Sequence, residues 1–146
     1  MLKRYTLWLW AAVVFQILSG LIHSISFFVA QTGENDTERQ LLTLMTTYKM
    51  DMGAGFHPTF MNLFTALSSC FTFLCLFAGL VNLYLLVKKT APSVMKGIIG
   101  INLLIFGGVL AVMACLTFIL PVTCMALIFG CLLLAFIAVP KIESAV

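Results

Sequence analysis

From Pro58 to Val87 the chain runs for 30 residues without one charged side chain. As a helix that stretch rises roughly 45 Å, more than the ~30 Å hydrocarbon core of a bilayer. Three more apolar runs accompany it: Tyr5–Ala30, Gly97–Leu120 and Thr123–Val139. Apolar residues make up 62% of the chain and charged residues 9%, against about 45–50% and 25% in ordinary soluble domains. That excess has to face lipid. The expected fold is all-α: one membrane domain over residues 1–146, an antiparallel bundle of four transmembrane helices. A short extracytoplasmic amphipathic helix is expected between the first two.

The first run follows Lys3-Arg4 and carries Trp8 and Trp10, suited to one membrane interface. It is too long for the apolar region of a signal peptide, and Phe28 is too bulky for the −3 position of a cleavage site after Ala30. The polar segment 31–57 follows. Thr37-Glu38-Arg39-Gln40 fits a capping box with Thr37 as cap, and Leu41, Leu44, Met45 and Tyr48 recur at helical spacing. This predicts an amphipathic helix over Glu38–Met52, stopped by Gly53 and Gly55. Pro58 is placed at the first turn of the second span. Pro121 and Val122 form the connector that turns the third span into the fourth, forcing an antiparallel hairpin.

Basic residues fall unevenly. Lys3, Arg4, Lys88, Lys89, Lys96 and Lys141 lie on one side, Arg39 and Lys49 on the other. The bias predicts both termini in the cytoplasm and, in a bacterium, an inner-membrane location. Basic residues scattered at span ends exclude the dense patch that nucleic acid requires.

No Asp, Glu, Lys or Arg interrupts the four runs, so a proton-exchanging carboxylate is missing. Zinc-protease, nucleotide-loop and nucleophile-elbow motifs are absent too, and no catalytic residue is expected. What remains is a set of neutral polar residues. Asn62, Thr65, Ser69, Thr72 and Gly79 share one face of the second span; Gln16, Ser19, Gly20, His23 and Phe27 share one face of the first. Pairing Ala30 with His57 sets Gln16 level with Thr72 and His23 level with Thr65. The two stripes then line a candidate pocket for a small apolar molecule such as a quinone, lipid or haem. His23 is the one histidine inside a span; a structural hydrogen bond is its ordinary role. With His57 it offers only a weak two-histidine metal or haem site.

The five cysteines, Cys70, Cys75, Cys115, Cys124 and Cys131, all sit in apolar runs and form no CxxC pair. They are expected as free thiols filling gaps; a disulfide between Cys115 and Cys124, which flank the same turn, is the lesser alternative. Gly107, Ala111 and Cys115, and likewise Ala126 and Gly130, have the small-xxx-small spacing of close helix packing. Packing within the third–fourth hairpin is the favoured use, packing between protomers the other.

At Ser19-Gly20-Leu21-Ile22-His23 and Gly55-Phe56-His57-Pro58-Thr59-Phe60 the chain resembles small four-span bacterial inner-membrane proteins, similar in size and layout to DoxX-like proteins. The resemblance implies the four-helix layout and no particular activity. The expected function is a non-catalytic accessory or assembly subunit whose partners are the bilayer and other membrane subunits or a second copy. The ligand-binding module is the alternative.

Overall fold

A computed structural model describes residues 2–140, with side chains from residue 4. The side chain of Lys3, and Lys141 and Glu143 altogether, lie outside the described residues. Five helices follow one another: α1 (Leu2–Ile25), α2 (Asp36–Thr47), α3 (Phe60–Val87), α4 (Pro92–Leu116) and α5 (Ile119–Ala138). All but α2 are long and apolar enough to cross a membrane. Among the described residues there is no strand, only an isolated bridge between Lys49 and Thr59. Contacts divide the chain into two units, one made of residues 1–19 and 75–146, the other of residues 20–74. Helices α1 and α3 each contribute to both.

In the first unit the buried positions follow helical spacing. Helix α1 buries Tyr5, Leu9, Ala12, Val13 and Gln16; α4 buries Met95, Ile99, Asn102 and Phe106; α5 buries Met125, Ile128, Leu132 and Ala135. The opposite faces expose large apolar side chains such as Leu7, Leu104, Leu116 and Ile137. In water that surface would drive aggregation; in lipid it costs nothing, and helix association rests on packing and hydrogen bonds instead.

Helices α4 and α5 form an antiparallel hairpin. Gly107 faces Phe129, and Gly100 faces Phe136, so the order reverses along the pair. The connector is Thr117-Phe118, not Pro121-Val122. Pro121 instead occupies the first turn of α5, where a missing N–H breaks no intrahelical bond. Helix α4 likewise starts five residues before Gly97, at Pro92, which supplies the fixed φ of a first helical residue. Lys96 therefore lies inside α4, and its Nζ sits 5.2 Å from the centre of the Phe136 ring. Helix α3 ends in a Schellman motif. Lys89 takes the left-handed conformation at φ 51°, Thr90 N–H donates to Leu85 O, and Lys89 N–H donates to Leu86 O.

In the second unit α1 stops at Ile25, five residues short of Ala30; Ser26, Phe27 and Phe28 make successive turns. The α2 cap is Asn35, not Thr37. Asn35 Oδ1 accepts from the Glu38 N–H at 2.9 Å, and the Glu38 carboxylate accepts from Glu34 N–H and Asn35 Nδ2. Starting two residues earlier, α2 also ends earlier, at Thr47. Residues 49–59 fold back instead of continuing the helix: Met50 N–H donates to Pro58 O and Met52 N–H to Phe56 O. The turn needs positive φ at Gly53, Ala54 and Gly55 in succession. The helix expected through Met52 is cut earlier: Tyr48 is already extended (φ −71°, ψ 119°), and the Met50 and Met52 N–H groups are taken by the returning segment.

Candidate functional site

Three amide side chains meet in the core of the first unit. Asn82 Nδ2 donates to Gln16 Oε1 at 3.0 Å; longer contacts to Asn102 Oδ1 come from Gln16 Nε2 at 3.4 Å and Asn82 Nδ2 at 3.5 Å. Asn102 Nδ2 is tied to Ile98 O, one turn back in α4, at 2.9 Å. Gln16 and Asn82 are wholly buried and Asn102 nearly so. Buried amides need partners, and these supply one another's, linking α1, α3 and α4. One group is left over: Asn82 Oδ1 is buried without a hydrogen-bond partner. Below the cluster Gly79 lets α1 approach α3; a Cβ there would lie 2.8 Å from Ile17 Cγ1 and 3.4 Å from Ile17 N.

Gln16 thus meets Asn82, ten residues further along α3 than Thr72. The expected pairing counts helical residues back from Ala30. The observed helix ends differ from that pair: Gln16 lies nine residues before the end of α1 at Ile25, and Asn82 twenty-two residues after the start of α3 at Phe60, so a pairing counted from Ala30 and His57 does not hold. Spacing alone does not single out Asn82 or Asn102 as site residues. Asn82 does continue the stripe three residues beyond Gly79, so a signal for it is present. Asn102 has only its polarity within an apolar run.

In the second unit His23 lies edge-on to Phe27 and Phe71, with ring centroids 5.5 and 5.0 Å away. Its Nε2 is buried and has no partner, and the same is true of Thr72 Oγ1. Ser69 donates to Thr65 O within α3. Asn62 caps α3 reciprocally with Thr59: its Oδ1 accepts from the Thr59 N–H, and its own N–H donates to Thr59 Oγ1. That engages Asn62 in helix initiation, and the helix starts at Phe60 rather than Pro58. His57 is exposed, with Nδ1 3.9 Å from Asp51. Among the described residues no group of three His, Cys, Asp or Glu could hold a metal ion. Ser19, assigned to the first unit, is half-buried.

The small residues separate into two sets. Gly107 packs against Phe129 within the hairpin; a Cβ there would lie 3.1 Å from the ring. Ala111, Cys115 and Ala126 are exposed, and Gly130 is half-buried with nothing within 4 Å of a Cβ. All five cysteines are free. On α4, Gly97, Ile101, Leu104, Gly108, Ala111 and Cys115 are exposed at alternating spacings of four and three.

These features define an α-helical protein with four helices suited to a membrane and a neutral, hydrogen-bonded interior. No protein-family model, curated protein or solved structure matches the chain.

Proposed function

We propose that the protein is a non-catalytic subunit of a membrane complex, in which the exposed seam of α4 receives a transmembrane helix of a partner subunit. The observation that carries this reading is the pair Gly97 and Gly108. Both face outward, and a Cβ on either would touch nothing within 4 Å. The chain's own packing gives no reason for a glycine there, while a helical glycine costs about 0.5–1 kcal/mol relative to alanine. A second helix does give a reason, since glycine lets two backbones approach closely in lipid. The 4–3 spacing is the seam of a left-handed helix pair. By the register of the hairpin, Ala126 of α5 lies level with Leu110, between Gly108 and Ala111, and Gly130 lies level with Phe106, two residues from Gly108. The neutral amide cluster fits a holding role: it offers neither a nucleophile nor a group that exchanges a proton near neutral pH.

The same reading places the four apolar helices as an antiparallel bundle in a bacterial inner membrane, with both termini cytoplasmic and α2 on the outer face. The basic-residue bias supports that orientation. The alternative pocket between the first two spans loses Gln16, whose amide is engaged by Asn82 and Asn102, and Asn62, which caps α3.

Gly108→Leu tests the proposal. Solubilised in mild detergent, the wild-type chain is expected to co-migrate with a larger partner and the variant to run alone, both with the same resistance to unfolding. Symmetric Cys115 crosslinking into a dimer of the chain would replace the partner by a second copy. A wild-type monomer that crosslinks to nothing would refute docking.

A further inference from the structure

A half-open cavity of about 450 Å³ lies in the second unit, where α1 ends and α3 begins. Its apolar wall is Phe27, Val29, Leu42, Met61 and Phe64. Five polar side chains also reach it: Ser26, Gln31, Thr43, Thr46 and Thr65. Three of these have used their only donor inside the fold. Ser26 donates to His23 O, Thr43 to Arg39 O, and Thr46 to Leu42 O and Thr43 O. Gln31 and Thr65 have not: neither the Gln31 amide nor the Thr65 hydroxyl has a side-chain partner among the described residues. The lining contains no charged residue.

We infer that this cavity binds the glycerol-ester region of a membrane lipid, an acyl chain lying against Phe27, Met61 and Phe64 and an ester carbonyl accepting from Gln31 and Thr65. The volume lies in the ~300–1,000 Å³ range of ligand sites, and the pattern of an apolar wall with a few free polar groups is theirs too. Four features choose the occupant. An uncharged lining cannot hold the phosphate of a headgroup, which calls for cationic donors. Gln31 and Thr65 each keep a free donor, which an ester carbonyl can accept. The site opens where two spans meet their polar connector, the depth at which ester groups lie between headgroup and chain. Side chains with three rotatable bonds each, Met61 and Gln31, adapt to a flexible chain. The site shares no residue with the seam of α4.

The test uses the full chain in nanodiscs containing a phospholipid with a photoactivatable acyl chain, either ester-linked or ether-linked with the same headgroup. Peptide mapping is expected to place the label on residues 26–31 and 61–65, with the ester lipid labelling more strongly. Thr65→Val and Gln31→Leu should each lower the yield about fivefold, the loss of one hydrogen bond of about 1 kcal/mol. Thr46→Phe, which fills the space, should abolish it. Gly108→Leu should leave it unchanged, separating this site from partner docking. Equal labelling by ester and ether lipids, label spread evenly along α4 and α5, or a quinone that displaces it at equimolar concentration would overturn the assignment.

Discussion

The amide cluster makes an asymmetric prediction about two residues that share one hydrogen bond. In Gln16→Met the side chain keeps its length and loses its polar atoms. Asn82 Nδ2 then loses its 3.0 Å acceptor and keeps only Asn102 Oδ1 at 3.5 Å. The bond itself is worth about 0.6 kcal/mol in a membrane protein, with ~1.7 as a ceiling. A buried donor left with no partner costs about 1–3 kcal/mol, and one left with a single contact at the 3.5 Å limit approaches that cost. The expected loss is about 2 kcal/mol. Asn82→Leu breaks the same bond, yet it also removes Asn82 Oδ1, a buried acceptor that has no partner in the native protein. The relief is of the same size as the loss, so that variant is expected within about 1 kcal/mol of wild type. The double variant should be more stable than Gln16→Met alone, because both ends of the bond are then apolar. Reversible unfolding of the reconstituted chain in mixed micelles, followed by helical circular dichroism, measures the cycle. Asn82→Leu costing as much as Gln16→Met, or a zero coupling between them, would refute the cluster as described.

Gly79→Ala should destabilise by about 1–3 kcal/mol through overpacking, because the contact is with the Ile17 backbone as well as its side chain. Gly97→Ala, with open space at its Cβ, should be neutral or slightly stabilising in the same unfolding assay. Lys89→Gly should raise stability by about 1 kcal/mol by relieving a left-handed non-glycine at the end of α3; a loss there would contradict the Schellman geometry. Asn35→Ala should cost about 1 kcal/mol in local stability, read as faster hydrogen exchange at the Glu38 amide. A small thiol reagent in detergent should modify Cys70 and Cys115, which are exposed, and spare Cys75, which is wholly buried.

The residue types alone indicated four helices long and apolar enough to cross a membrane, because a long uncharged, mostly apolar run is inexpensive only in lipid and satisfies its backbone there as a helix. They also marked Gln16, Thr72 and Gly79 as interior, whereas Asn62 and Thr65 on the same stripe are exposed and the helix before Gly53 already ends at Thr47. Where a boundary depended on local competition, the sequence was ambiguous: Asn35 and Thr37 are both good caps, and only the reciprocal bonds with Glu38 favour the first. Side-chain partners were beyond its reach. Gln16 meets Asn82 rather than Thr72 because α1 ends nine residues beyond Gln16 while α3 begins twenty-two residues before Asn82, an offset that spacing does not carry. The two roles of glycine were likewise indistinguishable in the sequence. Gly79 admits a neighbouring helix of the same chain, whereas Gly108 faces outward, and only the packed structure separates them.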